Sequence, residues 1–173
     1  STFAYRHRQL ADDLDAHAPR RMAVIDPLKL VLTNLDATHE EALVFANHPK
    51  DEAAGSRGVP FSRELWIERE DFAEVPPPGF KRLTVGFEVR LRGAGIIRCD
   101  EAIKDADGRV VELHGTLDPE SRPGMEGANR KVKGTIHWVS ARHGVPAEIR
   151  LYDRLFTVAD PDNDEGGKTY VDY

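Results

Sequence analysis

Four basic side chains near the middle of the chain have the types and spacing of a surface that takes hold of an anion. Lys81 and Arg82 lead into a segment that alternates apolar and polar residues from Leu83 to Leu91. A period of two is the mark of a half-buried strand. On that reading Leu83, Val85, Phe87, Val89 and Leu91 face a core, while Arg90 and Arg92 project side by side from the other face. Guanidinium groups suit phosphates, base edges and the planes of splayed bases, which is how unpaired RNA is read. An ordinary charged strand surface has the same spacing, so both readings stand at this point.

Other residues capable of chemistry are scattered. The chain has no glycine motif of the Walker or dinucleotide-binding kind, no Gly-x-Ser-x-Gly elbow and no His-Glu-x-x-His helix. His137, His143 and Cys99 are the best metal-ligand set available, but no ligand-spacing rule supports them, and a strand histidine bonded to backbone is the commoner reading. Glu68, Glu70 and Asp71 could be paired carboxylates; the plainer expectation is a solvated strand edge. Nothing stands out as a catalytic centre, and no metal site is expected.

The elements that must position these residues are bounded by composition. A chain of 173 residues makes one domain or two small ones, and 40% hydrophobic with 31% charged residues is enough for a core. No apolar run approaches the roughly 20 residues of a membrane-spanning helix. The opening residues from Ser1 to Arg8 lack the apolar stretch of a secretory signal. A single cysteine, Cys99, makes no internal disulfide, and a reducing cytoplasmic setting follows. Net charge is −6, mildly against nucleic acid, but its distribution says otherwise. Lys81 to Lys104 carries a local +3 and Arg122 to Arg154 a local +4, whereas Asp160 to Tyr173 carries −4. A phosphate backbone responds to local patches more than to net charge.

Arg8 to His17 reads as a short helix, with Leu10 and Leu14 on one face. After Ala18-Pro19 the texture becomes that of strands. The pattern predicts strands at Met22–Ile25, Leu28–Leu35, Leu43–Phe45, Leu65–Ile67, Leu83–Leu91, Ile96–Ile103, Val110–Leu113, Lys133–Ser140 and Ala147–Val158. It predicts loops at Ala53–Gly58, across Pro76-Pro77-Pro78 and over Pro119–Gly127, and a turn at Asp105–Gly108. Many short strands with little helical period imply an all-β barrel or sandwich.

Several blocks make a family resemblance visible. They are Ala18-Pro19-Arg20-Arg21-Met22-Ala23-Val24-Ile25-Asp26-Pro27-Leu28-Lys29-Leu30-Val31, Asn47-His48-Pro49, Gly55 to Ser62, Arg90-Leu91-Arg92, Lys131 to Ser140, and Glu148 to Phe156. In this order they resemble the anticodon-binding region of glutaminyl-tRNA synthetases, from Ala18 to about Val158. The resemblance implies an all-β region of the two-barrel type, incomplete here, with a short N-terminal helix. It divides the chain into the end of a helical connection to a catalytic domain (1–18), the barrel region (19–158) and an acidic loop or linker (159–173).

Such enzymes join glutamine to its tRNA with ATP and magnesium; their His-x-Gly-His and Lys-Met-Ser-Lys-Ser-like motifs are not in this chain. The expected partners are therefore the tRNA for glutamine and the protein's own catalytic domain, with no membrane and no DNA, and no cofactor in this segment. By motif, Arg20 matches an arginine at the middle anticodon base, Lys81 and Arg82 a pair at the third, and Arg90 an arginine at the first. Arg92 to Ala94 matches the strand end that holds the first base. Gly79, Phe80, Lys50 and Gly93 depart from residues found in some relatives, and the contacts of those side chains do not carry over. The related glutamyl enzyme and a free-standing RNA-binding barrel are the alternatives, and the blocks at His137–Ser140 and Arg150–Arg154 favour the glutaminyl type.

Overall fold

A computed structural model describes residues 11–150. The expected start of the helix, the last strand candidate beyond Arg150 and the acidic stretch from Asp160 lie outside the described residues. A helix covers residues 11–17, and strands follow. They are β1 (Pro27–Leu32), β2 (Glu40–Ala46), β3 (Ser56–Ser62), β4 (Glu64–Glu68), β5 (Glu88–Leu91), β6 (Gly95–Lys104), β7 (Val110–Asp118), β8 (Thr135–Ile136) and β9 (Val139–Ser140). Seven of them form one sheet in the order β8-β5-β6-β7-β1-β4-β9, and β2 and β3 form a separate hairpin.

The two edge strands of that sheet, β8 and β9, are separated in sequence only by His137 and Trp138. Ile136 and Val139 can therefore be no more than about 10 Å apart, the reach of three extended residues. A seven-stranded sheet whose outer edges lie that close has curled into an incomplete barrel: the two-residue joint is its seam, and β8 and β9 are not paired with each other. The inside is filled by the alternation the strands carry: Leu28, Leu30 and Leu32 from β1, Leu65 and Ile67 from β4, Val89 and Leu91 from β5, and Leu113 and Leu117 from β7, all buried. Trp138 at the seam is fully buried, with Phe61 of the hairpin edge-on at 5.1 Å and Phe45 at 6.3 Å. The Ser62 and Ser140 hydroxyls, 2.7 Å apart, tie the same hairpin to β9. Such perpendicular ring pairs add to the area they bury.

The all-β expectation holds, and several element boundaries change. Met22–Ile25 is not a strand: the backbone N–H groups of Ile25 and Asp26 donate to the Glu68 carboxylate at 2.8 and 3.1 Å, so a side chain takes the place of a neighbouring strand. Of Glu68, Glu70 and Asp71 only Glu70 is solvent-exposed as expected; Glu68 binds backbone, and Asp71 is completely buried and paired with Arg82. The expected loop at Ala53–Gly58 belongs in part to β3, because β2 pairs with it from Ser56 to Ser62. The expected long strand from Leu83 shrinks to β5. Gly86, at φ +84°, turns the chain, and the Phe87 N–H closes on the Thr84 carbonyl at 3.0 Å. That turn leaves Val85 and Phe87 exposed instead of facing the core. Lys133–Ser140 becomes the two short edges β8 and β9, and residues 147–150 have no strand.

Two measurements test this packing. Trp138→Phe should cost about 2–3 kcal/mol in urea denaturation, by lost volume and an orphaned carbonyl, and Trp138→Ala about 3–5 kcal/mol. Cys99 is fully buried, and burial pushes its thiol up to about 11. It should resist a thiol reagent at pH 8 until the barrel opens, with a modification rate that follows denaturant rather than pH alone.

Candidate nucleic-acid interface

The connection from β5 to β6 is a tight turn at the rim of the barrel. The Ala94 N–H donates to the Leu91 carbonyl at 3.0 Å, and Gly93 stands in the third turn position with φ +65°, as a type II turn requires. The Trp138 indole N–H donates to the Arg92 carbonyl at 2.9 Å, so the seam of the barrel also fixes this turn. A Cβ on Gly93 would meet Phe45 Cζ at 2.5 Å, so the position favours glycine on two counts. Ala94 is buried beneath the turn, and Arg92 points into solvent.

This turn forms one wall of a cleft of about 810 Å³. The facing wall is the segment from Ser121 to Thr135, with Arg130 and Lys131 as its charge and Met125 and Val132 as its apolar surface, and Arg90 lines the cleft from β5. The volume falls in the range that holds a small ligand or a single flipped-out base. Arg90 reaches across from β5, and its Nη2 donates to the Arg130 carbonyl at 2.7 Å. Arg130 itself is held by Glu88, at 2.7 and 3.1 Å, and by Asp118 at 2.9 Å. The Arg130 guanidinium beside Glu88 keeps that carboxyl below the usual range, and Glu88 and Asp118 in turn push the Arg130 pKa upward. Because the folded-state value of Glu88 is depressed, this clamp is intact above about pH 4 to 5 and is lost only as the pH falls through the lowered value.

Most basic residues of the barrel are neutralised by neighbours: Lys29 by Glu64 and Glu112, Lys104 by Glu74, Arg122 by Glu41, and Arg142 by Glu40. Nine have no carboxylate partner among the described residues: Arg21, Arg57, Arg63 and Arg109 stand apart from the cleft, and Lys81, Arg90, Arg92, Lys131 and Lys133 belong to its two walls and the ground beside it. The walls come together through Gly134. Its carbonyl accepts the Arg90 N–H at 2.9 Å, and a Cβ there would overlap the Lys81 carbonyl oxygen. Gly134 therefore lies directly against the Lys81 backbone, and the exposed Lys133 is its neighbour in the chain.

The residues expected from sequence fall into two groups. Arg90, Arg92, Ala94 and Lys81 stand at or beside the cleft. Arg82 is bound by the buried Asp71 carboxylate, a pairing that anchors the chain just before Leu83. Arg20 caps the helix over residues 11–17: its guanidinium donates to the Leu14 and Asp15 carbonyls at 3.1 and 2.9 Å and to the Asp15 carboxylate. The His48 ring and the Lys50 ammonium hold Asp15 as well, each at 2.8 Å. Lys131, Lys133 and Arg130 were not singled out as site residues from sequence, although the local +4 of their stretch is the signal that marks them.

Comparison with known proteins places these features in a family. Residues 18–118 match the model described as tRNA synthetases class I (E and Q), anti-codon binding domain, and residues 135–171 match a second model of the same description. The chain is 76% identical over 164 residues to the glutamine–tRNA ligase of Xanthomonas euvesicatoria pv. vesicatoria, covering 95% of this chain and 28% of that protein. It is 75% identical over the same span to that of Xanthomonas axonopodis pv. citri. Identity to that of Xylella fastidiosa strain M12 is 66% over 171 residues, 99% of this chain and 30% of the relative. The chain thus spans under a third of the length of these relatives, and their length beyond it is not represented here. Two consecutive matches, a barrel of the expected strand content and high identity across nearly every residue lead to one conclusion: this chain belongs to the anticodon-binding domain family of the class I tRNA synthetases for glutamate and glutamine.

Proposed function

We propose that this chain reads the anticodon of glutamine tRNA as the recognition part of a glutamine–tRNA ligase. The observation that carries the reading is the gathering of five cations without carboxylate partners among the described residues around a cleft that fits one unstacked base. A charge neutralised inside the protein gains little from a phosphate, so the place where unpaired ones cluster marks the RNA face. Relatives at 66–76% identity that bear the glutamine–tRNA ligase name favour this reading over a glutamyl enzyme or a free-standing RNA-binding barrel. Ligation with ATP and magnesium we assign to the catalytic part of the longer protein, with the helix over residues 11–17 as the end of its connection, and the cytoplasm as its setting.

The residues take different roles. Arg90 is held at one guanidinium nitrogen by the Arg130 carbonyl, which fixes the plane in which its remaining N–H groups meet the Watson–Crick edge of the first anticodon base. Arg92, Gly93 and Ala94 supply the backbone wall against which that base lies. Lys81 acts on phosphate or on the third base from an open position. Arg82 and Arg20 act from anchored positions: the first sets the course of the chain at Lys81, and the second joins the helix to the barrel around the middle base.

The test is a binding titration of the full-length protein with glutamine tRNA and with the same tRNA carrying one altered anticodon base, at two salt concentrations. Native anticodon should be preferred at least tenfold; equal, salt-sensitive binding of both would overturn anticodon reading. Arg90→Ala should lose affinity mainly for the native first base, by about 1–3 kcal/mol, whereas Arg92→Ala keeps the backbone wall and should cost less. Lys81→Ala should weaken all tRNAs alike and flatten the salt slope by about one. Arg82→Ala should also lower stability by about 1–3 kcal/mol, because Asp71 loses its partner while buried. Gly93→Ala should cost about 1–2 kcal/mol in stability and selectively weaken recognition of the first base, as Phe45 is forced aside.

A further inference from the structure

Phe87 is an aromatic side chain that the barrel does not use. It lies just before β5, where the turn at Gly86 lifts it out of the alternation that would have buried it, and it is 54% exposed. Its backbone is fixed on both sides: its N–H donates to the Thr84 carbonyl at 3.0 Å, and its carbonyl accepts the Cys99 N–H at 3.1 Å. An exposed ring on an immobile backbone loses little freedom when something packs on it. The Lys133 ammonium stands over the ring at 5.9 Å from its centre. Lys133 neighbours Gly134, the residue pressed against Lys81, so ring, lysines and the approach to the cleft share one surface. Val85, on the same turn, is exposed beside it.

A flat apolar ring set among lysines without carboxylate partners fits one class of occupant. A nucleobase supplies the planar face and its flanking phosphates supply the charge, as in proteins that bind single strands by stacking. A protein segment would have to bring its own carboxylates to the same place. We propose that Phe87, with Lys133 beside it, is a stacking platform for an unpaired base of the bound tRNA, next to the base faced by Lys81. This rests on the RNA reading above and adds a positioning residue that holds the loop open for the arginines.

The experiment uses the full-length protein and tRNAs with 2-aminopurine placed, one at a time, at the third anticodon position and at the two nucleotides that follow it. One of the three probes should be quenched on binding to the unaltered protein. Phe87→Ala should restore its fluorescence and weaken binding about tenfold, whereas Phe87→Tyr should keep both the quench and the affinity. If Phe87→Ala leaves all three probes and the affinity unchanged while anticodon preference persists, the platform is refuted and the anticodon reading stands. If anticodon preference is absent from the unaltered protein, the anticodon reading fails by itself, and the probes still report on stacking. A fall in thermal stability of Phe87→Ala with no change in tRNA binding would mean that another part of the protein covers the ring, and would overturn the proposal.

Discussion

The arrangement depends on one residue at one place, the Trp138 indole at the seam where the curled sheet meets itself. Its ring fills the centre of the barrel between Phe61 and Phe45, and its N–H is spent on the Arg92 carbonyl. A hydrophobic constraint and a hydrogen bond thus act through the same side chain. The first joins the hairpin of β2 and β3 to the main sheet, and the second holds the turn that forms one wall of the cleft. Because a buried N–H without a partner is costly, indole and turn fix each other's position. The site therefore inherits the rigidity of the core, although it lies on the rim.

The same division of labour sorts the charged residues. Where a cation has a carboxylate beside it, as at Arg130 with Glu88 and Asp118, it serves as scaffold and its carbonyl or stem does the positioning. Where none is present among the described residues, as at Lys81 and Arg92, the charge is open to an outside partner. Arg82 shows how close the two roles lie in sequence: Lys81 is open to solvent, and its neighbour is anchored to a buried aspartate. Adjacent basic residues of one motif can thus divide the work, one holding the chain and the other meeting the ligand.

The fold class and the location of the basic surface were legible in the sequence because both rest on local signals, the period-two alternation and the clustering of lysine and arginine. The resemblance blocks named the family from residue order. What escaped was non-local. Nothing local to Glu68 shows that its carboxylate will collect the backbone of Ile25 and Asp26, and nothing local to Asp71 shows that it will be sealed inside. The alternation from Leu83 to Leu91 was real but misjudged in extent, because one glycine in the left-handed region reverses the sense of the chain at Gly86. Lys131 and Lys133 became visible as site residues only once Gly134 placed them beside Lys81.

The seam also sets an order of events. β8 and β9 come at residues 135 to 140, after all the strands they must pair with, and each closes an opposite edge of the sheet. A chain emerging from the ribosome therefore holds β4 and β5 as bare edges until residues 135 to 140 have been made, and both are then covered within one short step. Bare edges are templates for pairing with other chains. The sheet is most vulnerable to aggregation while those edges are bare, and the pairing of β8 with β5 and of β9 with β4 ends that vulnerability.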